Sequence, residues 1–202
     1  MKSKLTKIII LIIIILVIIL GYLFIPKFYR MIKYKNYESY SEFVDKNGYT
    51  DLYNNKKSTY YELVTYEETG RIIYKLITNL DNFADEYTKF SLERNYISNP
   101  ENKNYTELKN RNITEIEVLE YLYNMKNSFF ESVNNTQKVT IDNESEFTSE
   151  QKLALYDMVN NKVVDSADEI SGNKKITKGK LNKIVSSFYN KYKEYIESEE
   201  YE

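Results

Sequence analysis

The chain has 202 residues, with 28 Lys and Arg against 30 Asp and Glu, and neither Cys nor His. Without thiols or imidazoles it cannot build, on its own, a disulfide, a Cys/His zinc site, a thiol nucleophile or a Ser-His pair. The seven basic side chains of residues 1–35 meet no acidic residue there, so residues 36–202 carry 21 basic against 30 acidic groups. A body so acidic lacks the basic surface that phosphate contacts require, and nucleic acid is not an expected partner.

The first element is "KIIILIIIILVIILGYLFIPK", Lys7 to Lys27. Residues 8–25 are eighteen consecutive uncharged positions, interrupted only by Gly21 and Tyr22. As a helix this run is about 27 Å long, near the hydrocarbon thickness of a bilayer, and it has no polar stripe. The expectation is a transmembrane helix over residues 8–25 that contacts the lipid bilayer. It is expected to be retained as a signal anchor, because no pair of small residues of the kind cleaved after a signal follows it. Lys27, Arg30, Lys33 and Lys35 balance Lys2, Lys4 and Lys7, so loop charge alone decides little about orientation. The short basic tail 1–7 points to an N-terminus inside and a C-terminal body outside, giving a single-pass protein of the cytoplasmic membrane. Phe28, Tyr29 and Tyr34 would lie near the outer headgroups, and Pro26 would end the helix.

Residues 26–58 read as a juxtamembrane segment. Its short helix opens at Ser39 with Glu42 and stops at Asn47-Gly48. Residues 59–202 read as one helical domain, since capping boxes introduce its apolar periodic runs: Thr59 with Glu62, Thr114 with Glu117, and Thr148 with Gln151. In that motif the two side chains satisfy exposed N–H groups reciprocally. A first long helix is predicted over about 60–97, with Ile73, Leu76, Leu80, Phe83, Tyr87 and Phe90 on one face and Gly70 as the place for a kink or break. Others follow over about 115–134, 149–170 and 178–198, and "KVTI" is a candidate short strand. The fold class is all-α: an N-terminal transmembrane helix, then an antiparallel bundle of about four amphipathic helices.

Local signals for chemistry are sparse. "EISGNKKITKGKLNKIV", residues 169–185, resembles the loop of an EF-hand, with Glu169, Ser171 and Asn173 at the first three ligand positions. It departs where Lys180 replaces the closing Glu and Gly172 misses the turn position. A plain turn with Thr177 as N-cap is the preferred reading. "FFESVNN" places Glu131 before Ser132 and is similar in that pair to helical peptidoglycan-cleaving enzymes. A general acid needs an apolar pocket and a glycan groove, neither of which the sequence reveals. "DEY" at 85–87 and "DSADE" at 165–169 read as solvated surface. No catalytic, cofactor-binding or metal residue is assigned, and no cofactor. The functional expectation is a non-enzymatic, membrane-anchored interaction or scaffold module outside the cytoplasm. Its partner would be an envelope protein or another copy of itself. Competing readings are an envelope glycan hydrolase using carboxylates, and a sensor or immunity-type module that binds a small ligand or a foreign protein.

Overall fold

The computed structural model describes residues 12–16, 18–19, 21–22, 24–25, 29, 32, 35–55, 60–80, 86–99, 104–130 and 134–198. The described residues before Asn36 are helical, and seven further α-helices follow, which we number α1 (Glu38–Lys46), α2 (Tyr66–Thr78), α3 (Tyr87–Glu93), α4 (Tyr105–Asn110), α5 (Glu115–Phe129), α6 (Ser149–Asn160) and α7 (Lys178–Ser198). Short 3₁₀ turns stand at Thr50–Leu52, Glu144–Glu146 and Ala167–Glu169. The class is all-α, a helical bundle in which α6 packs on α5, α1 on α7, and α2 touches α3, α4, α5 and α7.

The N-terminal expectation is corrected. Among the described residues no helix is long and apolar enough to cross a membrane. The transmembrane and signal-anchor assignment over residues 8–25, the cytoplasmic-membrane location and the inside-to-outside orientation therefore fall, and the bilayer contact expected of residues 8–25 rested on the same span. Residues 8–11, 17, 20 and 23 of that stretch, together with Pro26, Phe28 and Tyr34, lie outside the described residues.

Capping chemistry sets most helix starts. Thr114 with Glu117 and Thr148 with Gln151 form full capping boxes, as the sequence predicts. The helix expected from Thr59 instead begins at Tyr66, where Thr65 and Glu68 make the box; Thr59 itself is outside the described residues. That predicted 60–97 helix is two helices, because α2 ends at Asn79 in the left-handed conformation (φ 56°). Gly70 does not break α2. It sits where α2 meets α3 and α5, and a Cβ there would lie 2.9 Å from the Tyr87 Cβ and 3.1 Å from the Tyr121 hydroxyl. The 149–170 helix stops at Asn160, and residues 138–141 form no strand. The last prediction, 178–198, matches α7, which carries a non-helical Tyr192 (φ −111°, ψ 15°).

At the centre, three short segments meet by backbone hydrogen bonding. The Ile113 amide donates to the Val64 carbonyl, Ile176 to Ile113, and Val64 to Ile176, at 3.1, 2.9 and 3.3 Å. A second cycle surrounds the first: Tyr66 donates to Arg111, Glu115 to Lys174, and Lys178 to Glu62, at 3.0, 2.9 and 2.8 Å. Val64, Ile113 and Ile176 are all buried, and each is followed by a Thr and then by a helix, α2, α5 or α7. The three longest of the numbered helices thus radiate from one closed hub in which every segment donates two bonds and accepts two. Such closure satisfies the polar backbone that burial would otherwise penalise.

Candidate functional site

The hub brings the starts of α1 and α7 together with residues 60–63. The Gly179 amide donates to the Tyr60 carbonyl (2.8 Å), and the Tyr60 hydroxyl reaches Ser41 of α1 (3.2 Å). Gly179 lets the elements approach closely, since a Cβ there would lie 3.0 Å from both the Tyr37 Cγ and the Tyr60 Cβ. Beside this contact is a cleft of about 400 Å³ lined by Asn36, Tyr37, Tyr40, Glu169, Lys180 and Lys183. On the neighbouring segment Tyr61 and Leu63 are exposed, at 42% and 47%.

The cleft is polar and its charges are organised. Lys183 pairs with Asp165 (2.7 Å) and Glu169 (3.1 Å). Burial alone would lower its ammonium, but those two carboxylates outweigh burial and raise it above the usual lysine value. The same hydrogen bond holds Asp165 below the usual carboxylate range. Lys180 lies deeper, donating to Glu115 (2.7 Å) and to the Glu169 carbonyl. Here burial wins, and the ammonium is lowered despite Glu115. Tyr rings and paired lysines in one concavity can hold a partner's polar or aromatic side chain by stacking and hydrogen bonding.

The residues of the EF-hand-like loop are spent differently from metal ligands. Glu169 faces Lys183, the Ser171 amide donates to Glu115 (3.1 Å), and Ser171 Oγ lies 3.4 Å from Glu146. Ile176, the apolar centre of that comparison, is a member of the hub, and Thr177 accepts from the Lys180 amide as an N-cap should (3.4 Å). Among the described residues no group of three or more His, Cys, Asp or Glu is placed to hold a metal ion. Glu131 and Ser132 lie outside the described residues. "DSADE" is only partly the solvated surface expected: the Asp165 side chain is 73% exposed, yet it anchors Lys183.

Sequence reasoning missed a second buried charge pair. Lys126 of α5 and Asp157 of α6 are both fully buried, 2.6 Å apart. The other Asp157 oxygen accepts from the Asn135 amide (2.7 Å) and from Asn161 Nδ2 (3.0 Å). Burial depresses the Lys126 ammonium and Asp157 counters it. The rings of Tyr123 and Tyr192 flank the cation at 5.5 and 5.4 Å. Its sequence signal is only a lysine and an aspartate on the inward faces of two amphipathic helices.

Compared with protein-family models, curated proteins and solved structures, the chain matches none of them.

Proposed function

We propose that the chain is a non-catalytic helical interaction module that receives a partner protein at the cleft between α1 and α7. The observation that supports this reading is the juxtaposition of a polar, tyrosine-walled concavity with exposed Tyr61 and Leu63 on backbone that the hub hydrogen bonds hold. Tyrosine is enriched among the residues that carry binding energy at protein interfaces, and a site on a fixed scaffold loses little order on binding. The acidic balance of residues 36–202 favours a partner surface that is basic around its apolar contact.

The test uses the full chain with a photoreactive benzoylphenylalanine in place of Tyr61, expressed at native level in its own cells. Irradiation is expected to give a discrete adduct with one protein. Asn36→Arg, which fills the exposed end of the cleft without touching the core, is expected to abolish that adduct while leaving the melting temperature unchanged. Failure to form an adduct, or an adduct indifferent to Asn36→Arg, sinks the reading.

A further inference from the structure

The three hub segments share more than a hydrogen-bond pattern. Aligned on their buried centres, "LVTYEE", "NITEIE" and "KITKGK" each place Val or Ile before a capping Thr, with the helix beginning at the next residue. The isolated bridges repeat the same relation cyclically: Thr65 with Asn112, Thr114 with Lys175, and Thr177 with Leu63.

Side chains follow the backbone around the ring. The first residue of each helix interacts with two residues of the next unit, by contact at the first two joints and through charge at the third: the one two positions before its centre and the third residue of its helix. Tyr66 of the first unit accepts from Arg111 (2.6 Å), whose guanidinium lies 4.9 Å from the Tyr66 ring and pairs with Glu117 at 2.6 Å. Glu115 of the second unit meets Lys174 (3.1 Å) and Lys180 (2.7 Å). Lys178 of the third unit lies 4.2 Å from the Tyr53 ring; burial lowers its ammonium, and the charges of Glu62, Asp45 and Glu68, in that order, counter it. One joint is a phenol against a cation and an anion, one an anion against two cations, and one a cation in the field of two anions of the next unit and of Asp45 from α1.

We infer that the fold is a closed ring of three equivalent helix-start units in which the charged heads Glu115 and Lys178 key their joints by charge, each rejecting a neighbour of its own sign, while the neutral Tyr66 joins its neighbour through Arg111. Like charges brought together at a joint are repelled, and with the same backbone bonding pattern at all three joints, the side chains supply the discrimination. The interfaces are head-to-tail and close after three steps, the condition for a ring rather than an open chain.

The key is tested by copying the third joint into the second. Glu115→Lys alone and Lys174→Glu with Lys180→Glu are each expected to lower the melting temperature of the full chain by several degrees. The triple variant is expected to melt above both, because the cation introduced at position 115 would then face carboxylates at positions 174 and 180, as Lys178 faces Glu62 and Glu68. If Glu115→Lys alone does not fold, folding of the triple variant is the supporting result. A triple variant that melts no higher than either partial variant, or does not fold, overturns the proposal, as do partial variants that melt like the parent chain.

Discussion

Lys126 shows what a single side chain contributes here. Taking an ammonium and a carboxylate out of water is costly, and only close pairing with extra hydrogen bonds offsets that cost. Asp157 has both, since it accepts from Lys126, the Asn135 amide and Asn161. Removing one partner leaves the other charge buried without its opposite. Lys126→Met is therefore expected to cost about 3–5 kcal/mol, read as a fall in the urea midpoint. A loss below about 1 kcal/mol would show that the pair is not buried as described. The pair also marks a limit of sequence reading. Periodicity identifies the inward faces of α5 and α6 but treats them as apolar. Nothing in a helical stripe tells a charged member paired across helices from one that faces solvent. A similar ambiguity affects α6, where Leu153 is 43% exposed whereas its neighbours Ala154 and Leu155, and Met158, are buried.

Among the elements, α2 is the hardest to predict and the most informative. Thr59 with Glu62 fits the capping box, but Thr65 with Glu68 fits it equally well and belongs to the hub. Glu67 adds a role no local pattern reveals: its carboxylate accepts from the amides of Tyr87 and Thr88 and so holds the start of α3. Gly70 reads as a weak point when only propensity is counted. In the structure it is the place where α2, α3 and α5 touch. Gly70→Ala gains about 1 kcal/mol of helix propensity but sets a Cβ 2.9 Å from the Tyr87 Cβ. Overpacking costs about 1–3 kcal/mol, so the variant is expected to be net destabilised in thermal melts. An increase in stability would mean that α3 yields at that contact.

At the scale of the whole molecule, stability at high pH depends on buried phenols. Burial raises the hydroxyl pKa of Tyr49, Tyr53, Tyr66, Tyr121 and Tyr192 above 10 in each case. Each holds its proton more tightly folded than unfolded. This contribution to stability is therefore whole below about pH 10 and is lost as pH climbs through the folded-state values. Urea midpoints are expected to be level near pH 8 and to fall steeply above about pH 10, with tyrosinate absorbance appearing together with unfolding rather than before it. Early ionisation of these tyrosines in the folded protein would contradict their burial. The all-α class, two capping boxes and the α7 boundaries are legible in the sequence because they are local. The hub is not, since its repeated signal is a β-branched residue followed by Thr, a pair that also occurs outside it at Ile77-Thr78 and Val139-Thr140 and that carries no local sign of which distant segments meet.

The hub also ties folding to the order of synthesis. Val64 receives one neighbour when Ile113 is made, but its own amide has no acceptor until Ile176 has left the ribosome. Loop closure over such separations is slow and must be completed before it is rewarded. A nascent chain halted before residue 174 would therefore carry an open socket, with the apolar floor of Val64 and Ile113 uncovered. The final segment acts as a keystone, setting by its arrival when the polypeptide becomes compact.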